Sequence, residues 1–184
     1  MKLVVQRARK ASVEIFEGED SSFVSGSIGP GMVILIGIGP DDFEADISYI
    51  VNKILTTKFF PSSDPKKLVN IKEFDGEILL VSQFTLYVNL KGTKLDYHGA
   101  CEPERAQIIY EQVKKELMKQ LPGKVQCGIF GADMEVSLTN WGPHTTIIDS
   151  RVNAYAEYPN NLSRLGSNLP ALEKKYKMAF PVEN

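Results

Sequence analysis

The chain has 184 residues, 43% apolar and 24% charged, which suits one compact domain with an appendage and excludes a disordered or fibrous chain. With 21 basic and 23 acidic residues the net charge is −2, so bulk electrostatics alone would not hold nucleic acid. The longest apolar run, Met32 to Ile36, is far short of the roughly 20 residues that span a bilayer, and no signal-like segment opens the sequence. A soluble, cytoplasmic protein is expected. Cys101 and Cys127 lack CxxC spacing and His98 and His144 do not complement them, so neither a disulfide scaffold nor a metal site is expected.

In chain order, residues 3 to 6, 11 to 15 and 23 to 28 are rich in β formers and read as a meander of strands, with a hairpin at EGEDSS. The run GMVILIGIG, 31 to 39, has the continuous apolar character of a strand buried on both faces. Phe43, Ile47, Ile50, Val51 and Ile54 then fall at helical spacing, with Asp41 and Asp42 placed to cap the start. PSSDPKK, 61 to 67, is a loop, and EILLVSQFTLYV, 77 to 88, is the longest strand candidate. A second helix is predicted from Pro103, with Ala106, Ile109, Tyr110, Val113 and Leu117 as its apolar stripe.

Three further strands are predicted at 124 to 130, 133 to 139 and 145 to 149, separated by Gly131 and by Gly142-Pro143. Strands and helices fall in separate runs, which points to an α+β fold with a mainly antiparallel, barrel-like sheet and two main helices over residues 1 to 150. Residues 151 to 184 form a polar extension, with a short helix expected near 170 to 180. A basic cluster without acids, Lys2, Arg7, Arg9 and Lys10, opens the chain, and Lys91 and Lys94 sit in a Gly-containing loop. Such clusters are usually a solvated face.

No GxSxG, HExxH, P-loop or GxGxxG is present. Two segments stand out: Ser82-Gln83-Phe84-Thr85-Leu86 within an apolar strand, and Thr139-Asn140-Trp141-Gly142-Pro143-His144 between strands. Singly, strand hydroxyls are ordinary β formers and Gly-Pro marks an ordinary turn. In combination with QRARKASV at 6 to 13, KGTK at 91 to 94, FGADM at 130 to 134 and NWGPHTTIIDS at 140 to 150, SQFTL resembles the D-aminoacyl-tRNA deacylase family, the D-Tyr-tRNA type, over residues 1 to about 150.

The resemblance implies a homodimeric hydrolase, without metal or cofactor, that cleaves the ester between a D-amino acid, or glycine mischarged on tRNA-Ala, and the terminal adenosine of tRNA. It implies that Ser82, Gln83, Phe84 and Thr85 line the aminoacyl pocket with Ala106 on its wall, and that Phe130 and Met134 receive the adenine. Gly142 and Pro143, joined by a cis bond, would enter the partner's site and exclude L side chains by a clash, supported by Arg7 and Asn140. Two mechanisms stay open: Thr85 as nucleophile, or hydrolysis assisted by the tRNA 2′-OH with the Phe84 and Thr85 amides holding the oxyanion. Against the family pattern, Trp141 and His144 flank Gly-Pro where small or polar residues and Val are usual, and KGxRPSF reads KGTKLDY. The competing class is a non-enzymatic DNA- or chromatin-binding module on the same scaffold.

Overall fold

The structure is a computed structural model that describes residues 1 to 18 and 21 to 152; the extension expected beyond, with its short helix near 170 to 180, lies outside the described residues. Among the described residues, ten strands and three α-helices make an α+β fold around a nearly closed mixed sheet. Its organiser is β1, Lys2–Phe16, one strand where two were predicted. The basic stretch between the two β-rich halves stays in the strand because Ala8 between Arg7 and Arg9 is fully buried.

The first half of β1 pairs antiparallel with β3, Gly31–Gly37, and the second half with β2, Ser22–Ile28. Along its other side runs β10, Met134–Asp149. The strands predicted at 133 to 139 and 145 to 149 are therefore one, interrupted by a bulge and not by a turn. Beyond β3 the sheet continues in parallel through β6, Glu77–Ser82, to β9, Val125–Cys127. Antiparallel pairing thus covers the β1 side, and the two parallel pairings arise because helices make the crossovers to β6 and β9. Ser25 of β2 closes toward β9 by donating its hydroxyl to the Cys127 carbonyl at 3.3 Å.

Helix α1, Glu44–Thr56, and helix α3, Pro103–Gln120, cover the sheet. Burial of the predicted stripe Ala106, Ile109, Tyr110, Val113 and Leu117 against Ile78, Leu80 and Ile50 makes the main core. Each large side chain so buried contributes about 1.5–3 kcal/mol. The predicted caps Asp41 and Asp42 do not cap α1: its N-cap is Phe43, whose N–H donates to Asp46 Oδ2 at 3.1 Å. Asp42 is instead fully buried and binds the Met1 ammonium at 2.7 Å and the Gly39 N–H at 2.7 Å. A charge that is buried with a partner at each oxygen is not available to a helix end.

The loop predicted at 61 to 67 joins two short paired strands, β4, Phe60–Pro61, and β5, Leu68–Val69, ahead of the one-turn helix α2, Ile71–Phe74. A second hairpin, β7, Asn89–Lys91, and β8, Lys94–Asp96, stands apart from the main sheet. No helix among the described residues is long and apolar enough to cross a membrane.

Candidate active site

The strand predicted over 77 to 88 ends at Ser82, and Phe84–Tyr87 form a 3-10 turn. The neighbour dictates the break. β3 runs out at Gly37, one residue past the Ile36–Ser82 pairing, so β6 has no ladder to continue along. The chain then folds back over two glycines: a Cβ at Gly37 would lie 2.9 Å from Leu86 Cβ, and one at Gly39 would lie 2.8 Å from the Tyr87 ring. The GIG at 37 to 39 is the signal that strand periodicity missed.

Gln83 N–H remains bonded to the Ile36 carbonyl at 2.8 Å, and the first bond of the turn is Leu86 N–H to the Gln83 carbonyl at 3.3 Å. The amides of Phe84 and Thr85 come before that first bond, so the turn supplies them no acceptor of its own. Phe84, with Thr85 next to it on the turn, lines a cleft of about 1110 Å³ outside the carboxyl ends of the parallel strands β3 and β6, at the start of α3. Such strand ends are where helices and sheet leave room for ligands.

Ser82, Gln83, Phe84, Ala106, Phe130 and Met134 all line this cleft, brought from three separate stretches of sequence. Phe130 is backed by Tyr110, ring centroids 5.7 Å apart, and Tyr110 donates its hydroxyl to the Leu80 carbonyl at 3.0 Å. Burial, and then the neighbouring Cys127, hold the Tyr110 phenol protonated well beyond its ordinary range. Met134 fits because residue 128 is glycine, where a Cβ would come within 2.6 Å of its sulfur.

Thr85 is half-buried on the same turn but does not line the cleft, and its hydroxyl accepts a hydrogen bond from the Gln83 side-chain amide. Arg7, Asn140, Gly142 and Pro143 gather elsewhere, at the bulge of β10, where the Gly142-Pro143 bond is cis and both residues are exposed. Arg7 Nε donates to the Trp141 carbonyl at 3.0 Å and Nη1 to the Phe59 carbonyl at 2.7 Å. Asn140 Oδ1 accepts from the His144 N–H at 3.2 Å. Burial, and then Arg9, lower the pKa of Arg7.

The β7–β8 hairpin, noted in the sequence for its lysines and for its departure from the family's loop pattern, adds a wall. Phe84, 58% exposed, leans on Tyr97 with ring centroids 5.1 Å apart. Asp96 binds the Lys91 ammonium and the His98 ring, which together hold its carboxyl well below the usual range, Lys91 having the larger effect. The D-x-H spacing at 96 to 98 could have signalled this pair. Among the described residues no three His, Cys, Asp or Glu side chains are grouped as a metal site would need.

Residues 4–149 match the family model described as D-Tyr-tRNA(Tyr) deacylase. The chain belongs to the D-Tyr-tRNA(Tyr) deacylase family. A D-aminoacyl-tRNA deacylase of Akkermansia muciniphila is 43% identical over 152 residues, 82% of this chain and 98% of the relative. Among solved structures, the c-Myc DNA Unwinding Element Binding Protein superposes with a TM-score of 0.74 at 37% identity, covering 81% of this chain and 98% of its own. A probable eukaryotic D-amino acid tRNA deacylase shares the fold, with a TM-score of 0.67 at 17% identity, covering 80% and 98%.

Proposed function

We propose that the chain hydrolyses the ester joining a D-amino acid to the terminal adenosine of tRNA, releasing the free amino acid and tRNA with its 3′-OH. The observation that carries this reading is the pair of Phe84 and Thr85 amides, left without an acceptor by their own turn, on a turn whose Phe84 lines the cleft. Two adjacent fixed N–H donors match the charge that develops on a carbonyl oxygen under attack by water. The reaction then runs without a side-chain nucleophile: water attacks the ester carbonyl, the 2′-OH of the terminal ribose orients it, and the amides hold the oxyanion. Phe130 and Met134 give the adenine an apolar surface, while Ser82, Gln83 and Ala106 bound the aminoacyl end.

Gly142 and Pro143 lie outside the cleft of their own chain, so as a chirality wall they would serve a second copy, in a cytoplasmic homodimer. Such a wall reads the α-carbon and not the side chain, which makes glycine, including glycyl-tRNA-Ala, a substrate that passes. A module that only binds nucleic acid has no need of paired amides at a cleft, and the net charge of −2 gives it little affinity. The test is hydrolysis of D-Tyr-tRNA and L-Tyr-tRNA side by side: cleavage of the D ester with the L ester spared is expected. Equal rates, or none on either, would overturn the reading.

A further inference from the structure

The β1–β10 ladder is regular at Gln6–Thr145 and resumes at Ala8–Asn140, so the single residue Arg7 stands opposite the whole segment 141 to 144. A second irregularity follows between Ala8 and Lys10, at Arg9. Arg7 and Arg9 are two apart on one strand, and both aim at the same indole. The Arg9 guanidinium carbon lies 3.6 Å from the centroid of the Trp141 ring and that of Arg7 4.8 Å. Phe74 touches the same ring, centroids 5.8 Å apart, and itself stacks on Phe60 at 4.4 Å. After Gly-Pro, His144 rests on Phe59, centroids 4.8 Å apart.

The two arginines act differently. Arg7 grips main-chain carbonyls, which fixes one point of the backbone. Arg9 is exposed and sets its guanidinium over the Trp141 ring, so it acts on Gly142-Pro143 by restraining the residue before it. We propose that Arg9 is a positioning residue that fixes the Gly142-Pro143 segment through the Trp141 indole and so sharpens discrimination between D- and L-aminoacyl esters. The proposal rests on the reading of that segment as the chirality wall. It also gives Trp141, a departure from the family pattern, a use: an indole presents the strongest ring face for a cation, and a small residue presents none.

The experiment measures kcat/KM for D-Tyr-tRNA and L-Tyr-tRNA in Arg9→Gln, Arg9→Lys, Trp141→Leu and the Arg9→Gln/Trp141→Leu double variant, with thermal midpoints alongside. Arg9→Gln is expected to lower the D-over-L ratio by about two- to fivefold, the range of an exposed cation–π contact, with Arg9→Lys retaining most of it. In the Trp141→Leu background the same change is expected to do nothing further, since the cycle isolates a contact that is already gone. An unchanged ratio in Arg9→Gln, or the same loss with and without Trp141, overturns the proposal. So does an equal loss on both esters that tracks a lowered midpoint. Gly142→Ala separates the underlying reading: a Cβ there would lie 3.0 Å from Arg7 Nη2. If Gly142→Ala leaves the ratio intact, the chirality wall itself is wrong; if it collapses the ratio while Arg9→Gln does not, only the role of Arg9 falls.

Discussion

The Gln83 side-chain amide donates to the hydroxyl of Thr85, two residues on along the same turn. On the proposed mechanism this contact makes Thr85 an anchor of the turn, with no nucleophilic role. Thr85→Val should therefore lower kcat on D-Tyr-tRNA by less than about tenfold, against about 10³-fold or more for a lost nucleophile. Single-turnover rates of the two proteins decide between these.

The 2′-OH carries the complementary expectation. A D-Tyr-tRNA ending in 2′-deoxyadenosine should bind the cleft yet react at least about 10²-fold more slowly, the scale of a lost group that handles the water. Full activity on that substrate would return the water to a protein side chain.

Tyr110 ties α3 to β6 two residues ahead of Ser82 through the Leu80 carbonyl. That carbonyl also accepts from Gly128 N–H at 3.0 Å, so removing the phenol does not orphan it. The hydroxyl also hydrogen-bonds the Cys127 thiol, so Tyr110→Phe should cost about 1–2 kcal/mol in urea unfolding, the net value of these bonds and not of a stranded polar group. A loss above about 3 kcal/mol would mean the hydroxyl holds more than this carbonyl and the thiol.

Burial, and then the Arg7 guanidinium, lower the pKa of His144 from its ordinary 6.5. The unfolded chain therefore binds the proton first as pH falls, and stability is lost on acidification through 6.5 toward the lower folded value. Urea midpoints at about pH 7.5 and about pH 5.5 should differ less in His144→Gln than in the parent. The same dependence in both would assign the acid sensitivity to other groups.

Local periodicity was enough for α1, α3 and β3, but not for the one-turn helix α2. The 3.6-residue stripe of α3 and the continuous apolar run of β3 are each imposed by a face that must be buried, whatever it packs against. Six residues of the cleft were legible too: Ser82, Gln83, Phe84, Phe130 and Met134 stand in the motifs of the resemblance, and Ala106 was implied by it as a wall. What the chain alone did not reveal depends on a neighbour distant in sequence. SQFTL is built of residues that suit a strand, and it breaks after Ser82 because β3 ends and its glycines admit a turn. Asp42 sits where a cap belongs, and is claimed by Met1 across the sheet. Gly142-Pro143 reads as a turn between two strands, and becomes a bulge in one because β1 pairs on both sides of it. Only the tertiary structure brings Arg9 onto Trp141, because that contact needs β1 to pair with β10 and the ladder to shift register at Arg7 and Arg9, and the choice of a partner strand so far along the chain is not a local property.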